Sequence, residues 1–256
     1  MSSELTMASI QSGFSFNPPR ILIYGLEGIG KSTFANGLPN PIFLPPEDGL
    51  DNVNCEKFPY YPSYDDIFKA IDLLTTQKHN YRTLVIDTVD AMERLINKKV
   101  CKDHNVKNIE KVLGGYGKGY SIALEHWQEL IERLTQLRFK RRMAIVLSAH
   151  ASIENYSDPD TSFIRFAPRL NKKVCGIICE NVDLILHATR RGGAAKGEDG
   201  GERIVKMEPS RKMAGKRRYF TMPTELPMNP NVVMTAIEEH QRRLASGEFQ
   251  EPNNEN

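Results

Sequence analysis

Long apolar runs are missing from this chain. The longest, such as residues 144–147, are strand-sized, far short of the roughly 18 residues that a membrane-spanning helix needs. A membrane-spanning role is excluded on that ground. The first sixteen residues lack the basic-then-apolar pattern of a secretory leader, and Cys55, Cys101, Cys175 and Cys179 are too few among 256 residues for a disulfide framework. Both absences point to a reducing cytoplasm. Cys101 and His104 with Cys175 and Cys179 also miss the spacing of a zinc knuckle. A surplus of charge is lacking too: 34 basic and 32 acidic residues leave +2, so no global field draws the chain to nucleic acid or an anionic membrane. Any such binding has to come from local clusters.

What is present is an ordinary folded composition, 40% hydrophobic and 26% charged, in a length that suits one sizeable α/β domain. Five short apolar runs, at 21–24, 41–44, 83–86, 144–148 and 182–187, read as buried strands. Stretches with helical spacing lie at 31–37, 64–77, 91–101 and 121–137. Strands alternating with helices predict a mostly parallel, doubly wound sheet with helices on both faces. A further strand at 203–207 after the Gly-rich stretch 190–201 predicts a C-terminal β-hairpin with a mobile tip, and a helix at 232–244 precedes a polar tail. The chain thus divides into an N-terminal arm (1–17), a core (18–228), and a C-terminal helix with its tail (229–256).

Gly25-Leu26-Glu27-Gly28-Ile29-Gly30-Lys31-Ser32, followed by Thr33, matches the phosphate-binding loop G-x-x-x-x-G-K-[ST] between a strand and a helix. Backbone N–H groups of such a loop converge on phosphates. Lys31 would neutralise the β- and γ-phosphates of ATP, and the Ser32 hydroxyl would ligate Mg²⁺. A bare Gly-rich turn would need neither residue.

Thr83-Leu84-Val85-Ile86-Asp87 is an apolar strand ending in a carboxylate. Asp87 is the candidate partner for Mg²⁺, with Thr88 and Asp90 close by; the plain alternative is an Asp capping the next helix. Glu47, after the strand at 41–44, is a candidate to orient the attacking water, or a solvated turn acid. His150, at the end of the strand at 144–148, is either a γ-phosphate sensor or a buried histidine.

Taken in order, these segments resemble the RecA-like core ATPases: 25–33 their Walker A, 43–51 their strand-then-glutamate element, 84–88 their Walker B, 145–150 their sensor strand, where His150 replaces the glutamine of RecA. The similarity spans roughly 18–228. It extends most closely to the short phage-encoded AAA-type nucleotide-binding proteins, some linked to recombination and single-strand annealing, through Gly115-Tyr116-Gly117-Lys118-Gly119-Tyr120, Glu180-Asn181-Val182-Asp183 and the basic run ending in Tyr219.

The resemblance implies an ATPase stimulated by single-stranded DNA, assembled as a ring or short filament in the host cytoplasm. It also implies two mobile DNA-facing segments, about 103–119 and 151–173. The first carries Tyr116, Lys118 and Tyr120, and the second Arg165, Arg169, Lys172 and Lys173, an aromatic-and-cation pairing that suits single strands. In the basic cluster 211–218, Lys212, Lys216, Arg217 and Arg218 would either reach a neighbour's γ-phosphate or bind a nucleic-acid backbone. Two other readings of the P-loop remain: a kinase of a small metabolite or nucleoside, and a nucleotide-gated loader or packaging accessory.

Overall fold

The computed structural model describes residues 6–60, 63–158, 161–192 and 201–248. Its centre is β1 (Arg20–Gly25), buried on both faces because Ile21, Leu22, Ile23 and Tyr24 are all apolar. Beside it in parallel run β4 (Ala144–Asp158) on one side and β6 (Leu184–Arg190) on the other. Beyond β4 lie β3 (Thr83–Asp87) and then β2 (Pro41–Leu44), both parallel. β7 (Arg203–Lys206) pairs antiparallel with β6, and β9 (Glu225–Pro227) with β7. The order β2-β3-β4-β1-β6-β7-β9 makes a mostly parallel α/β sheet closed by a C-terminal hairpin, as the sequence predicts. The tip expected to be mobile, and the polar tail, fall largely at 193–200 and 249–256, outside the described residues.

Successive residues of β1 point to opposite faces, and each face has its own core. Leu22 and Tyr24 join the layer of α2 (Tyr64–Thr76), α3 (Val89–Asp103), α4 (Lys118–Arg141) and α5 (Lys172–Asn181). Ile21 and Ile23 face α1 (Lys31–Asn36) and α6 (Pro230–Ser246), which contributes Val233 and Ile237. Local signals set the ends: Ser63 caps α2 by accepting from the Asp66 amide, and Asn229 caps α6 with Pro230 at its first turn.

Several elements were not expected, α5 among them. β5 (Thr161–Pro168) folds back antiparallel on the outer half of β4, so the segment 151–173, expected as a mobile loop, is a hairpin followed by the start of α5. Cross-strand pairs such as Ile153 with Phe166 hold it. The segment 103–119 is likewise built, around a 3₁₀ turn at Ile109–Gly114. A Cβ on Gly119 would stand 2.2 Å from Ile109 O, so that glycine lets α4 press onto the turn rather than lending it freedom. β8 (Lys216–Arg217) adds a short pair with the beginning of β6.

Candidate nucleotide site

The C-terminal ends of β1, β2 and β3 and the middle of β4 open on a cleft of about 320 Å³, lined by the 25–33 loop, Glu47, Asp87, Thr88 and His150. The loop leaves β1 and enters α1 through Gly28 (φ +73°) and Gly30 (φ +104°), where a side chain would be strained. Lys31 is buried, and its Nζ donates to Gly25 O and Leu26 O, both at 3.1 Å. Burial pushes its ammonium below the ordinary lysine value, against the pull of Asp87, Asp90 and Glu27.

Ser32 Oγ donates to Asp87 Oδ2 at 2.6 Å, and Ser148 Oγ donates to Asp87 Oδ1. The helix cap that Asp87 might have supplied is made instead by Thr88, whose Oγ1 accepts from the Ala91 amide. Asp87 is thereby left to the cleft. Thr88 Oγ1 also donates to Glu47 Oε1 at 2.6 Å, and Arg94 Nη2 holds Glu47 Oε2 at 2.5 Å. Glu47 is therefore a fastened side chain at the cleft, not a freely solvated one.

Asp90 collects what lies behind it. It accepts from the His150 amide (3.1 Å), from His150 Nδ1 (2.9 Å) and from Arg169 Nη2 (2.9 Å). Burial alone would raise its carboxyl, but the hydrogen bonds from His150 and Arg169 outweigh that and hold it at about 2. His150 Nδ1 stands 2.9 Å from both Asp90 Oδ2 and Arg169 Nη2, so the three side chains form one cluster. Glu47, Asp90 and His150 bring ligand atoms within 4.8 Å of one another. Arg94 and Arg169 already hold those oxygens and would face any ion, so the trio is an ion-pair network.

A strand-borne loop, a lysine at its helix entry and a serine on a buried aspartate are the parts of a P-loop site, and residues 17–219 match the AAA_24 family model, an AAA domain. The chain belongs to the AAA_24 family. Its sheet sets the β4 strand between the loop strand β1 and the aspartate strand β3. This AAA_24 chain is 27% identical over 176 residues to the SPbeta prophage-derived uncharacterized protein YorG of Bacillus subtilis (strain 168), covering 67% of this chain and 51% of that protein. It spans about half the length of that curated relative. It is also similar to the crystal structure of the RadB recombinase, at 13% identity and a TM-score of 0.44, over 77% of this chain and 83% of that one.

The remaining predicted residues of the AAA_24 chain scatter. Tyr116 is fully exposed, and Lys118, Lys172 and Lys173 have solvent on them or nearby, Lys118 Nζ donating to Leu113 O. Tyr120 is partly buried and packs against the core. Arg165 is half-buried on the hairpin. Arg169, expected on a DNA-facing loop, lies at the nucleotide cleft, because Pro168 and the Asn171-capped start of α5 turn it back towards Asp90.

The basic cluster is largely occupied within the chain. Lys216 Nζ donates to Cys179 O and Glu180 O, Arg217 to Phe220 O and Met222 O, and Arg218 pairs with Asp183 at 3.1 Å. These three sit beside the beginning of β6, at the opposite end of the sheet from the cleft. Lys212 alone of the four is exposed with no side-chain partner among the described residues. Reasoning from sequence missed Ser148, Arg94 and Arg203, whose Nη1 would stand 3.0 Å from a Cβ on Gly30. Only Arg94 had a local signal, one helical turn after Asp90.

Proposed function

We propose that this chain binds ATP with Mg²⁺, hydrolyses it, and couples the hydrolysis to single-stranded DNA in a recombination or annealing transaction, working as a homo-oligomer. The observation that carries the reading is the 2.6 Å contact between Ser32 Oγ and Asp87 Oδ2 at the foot of the loop that holds Lys31. A hydroxyl and a buried carboxylate side by side fit the oxygen preference of Mg²⁺, so Ser32 and Asp87 are the residues that would hold it. The ion supplies charge neutralisation to the phosphates when bound. Loop amides cradle the phosphates and Lys31 gives up its carbonyl partners to them. Glu47, fixed by Thr88 and Arg94, orients the attacking water and takes its proton.

Support for the DNA partner is the fully exposed Tyr116 with Lys118, Lys172 and Lys173. Support for self-association is the arm, which leaves Met7, Ile10 and Phe14 exposed. Within such an assembly Lys212 is the candidate for a cation acting on a neighbour's nucleotide. The test is ATP hydrolysis with and without single-stranded DNA, on the wild type and Lys31→Ala. Turnover that rises with DNA and vanishes in the variant is expected. A response flat to DNA would remove the DNA part, and turnover kept by Lys31→Ala would remove the site.

A further inference from the structure

Arg169 stands one residue beyond β5, at the turn into α5. Its backbone N–H donates to His150 O at 2.8 Å, which ties this turn to the part of β4 that lines the cleft. The guanidinium lies between Asp90 and Glu27, one of the residues that line the cleft. Nη2 lies 2.9 Å from Asp90 Oδ2, and Nη1 lies 3.8 Å from Glu27 Oε1 on the phosphate loop.

The two contacts differ in kind. Asp90 is 3% exposed, ionised and fixed by His150, so it anchors one nitrogen of the guanidinium firmly. Glu27 is 77% exposed and its contact with Arg169 is longer than a hydrogen bond, so that contact holds almost nothing. Arg169 itself is 48% exposed. A guanidinium carries five N–H donors in a rigid plane, so Arg169 keeps donors that serve no other group and lie beside the first half of the loop. Its charge also reaches the Lys31 ammonium, adding to the burial that is the main cause of that group's lowered pKa.

We propose that Arg169 reads the terminal phosphate of a bound nucleoside triphosphate from within the same chain. Asp90 and the His150 carbonyl aim the side chain, and the γ-phosphate oxygens replace Glu27 as the partner of its free edge. A planar guanidinium meets two phosphate oxygens at once, which a lysine cannot. A diphosphate leaves that edge unfilled, so Arg169 strengthens triphosphate binding and not diphosphate binding. The proposal rests on the reading of the cleft as an ATP site.

The test is titration calorimetry of a non-hydrolysable ATP analogue and of ADP, each with magnesium, against wild type, Arg169→Ala and Arg169→Lys. Arg169→Ala is expected to weaken the triphosphate analogue by roughly tenfold to a hundredfold, the worth of hydrogen bonds to a charged group, with ADP affinity kept within about twofold. Arg169→Lys is expected to recover part of the loss. Because ADP is bound by the same protein sample, its affinity reports that the variant is folded. Equal loss for both nucleotides, or loss for neither, overturns the proposal. A selective loss of single-strand binding with triphosphate affinity intact would also overturn it and return Arg169 to the DNA face. Failure of the cleft reading shows differently, as wild-type protein that binds neither nucleotide.

Discussion

The two ends of the sheet each carry a buried aspartate, and they are put to opposite use. At the beginning of β6, Asp183 accepts from the Arg20 amide and guanidinium and meets Arg138 and Arg218, at 2.9 to 3.4 Å for the amide and the three ion pairs. Burial opposes its ionisation, but Arg20 and then Arg138 outweigh it and hold the carboxyl below its ordinary value. That carboxylate has no capacity left. At the other end Asp87 is met only by two serine hydroxyls and faces the cleft, and the cations nearby, Lys31 and Arg169, rest on carbonyls or on one anchored carboxylate. A saturated carboxylate is a fastening; one held by exchangeable partners beside open volume is equipped to take a ligand.

The sharpest way to break that contrast is at the cleft. Glu47→Gln keeps the shape of the side chain but removes the base, and ATP turnover should fall roughly 10³-fold with nucleotide binding retained. Normal turnover in single-turnover assays would strip Glu47 of its role. At the closed end the expected loss is in stability instead. Asp183→Ala leaves Arg20, Arg138 and Arg218 facing one another, and urea unfolding should show a loss of about 3 kcal/mol. Nucleotide affinity of the folded variant should be unchanged, and a large change in it would mean that the two ends are coupled.

A buried group that belongs to neither end sharpens the comparison through pH. His187 is stacked between Tyr24 and Phe166, and burial, reinforced by Lys206, holds its pKa at about 4. The unfolded chain takes a proton near pH 6.5 that the folded chain refuses, so the stability from this group is full above that pH and declines as pH falls from 6.5 towards 4. His240, lowered by burial too, acts in the same direction. The His187→Phe variant should lose about 2 kcal/mol less than wild type between pH 7 and pH 4.5 in denaturant melts. Parallel pH profiles would contradict this. The smallest effect belongs to Tyr116→Ala: stability within about 0.5 kcal/mol of wild type, basal turnover unchanged, and single-strand affinity reduced by roughly tenfold. Unchanged affinity would remove Tyr116 from the DNA reading.

The cleft was legible in the sequence to the extent that it is local. The loop, Asp87 and the central strands are written in consecutive residues, since a strand buried on both faces must be apolar throughout and a phosphate loop must place glycine and lysine at fixed offsets. Ser148 and Arg169 reach the same cleft from the β4 strand and from beyond β5, and no neighbouring residue announces that. β5 was obscured because Ser162, Arg165 and Pro168 interrupt its apolar residues, the pattern of a half-exposed hairpin and of a polar loop alike. α5 carries Gly176 among β-branched residues, a weak helix former by composition that is held by packing of Val174 and Ile178. The fastening at Asp183 depends on four segments meeting and left no spacing to read.

The β4 strand runs without a break from the central sheet, past His150, into the outer hairpin. Its eight residues beyond the cleft extend about 26 Å at roughly 3.3 Å each, so the strand is a pointer pivoted where the nucleotide would lie. A tilt of about 5° at the pivot would carry the far end through about 2 Å at that length.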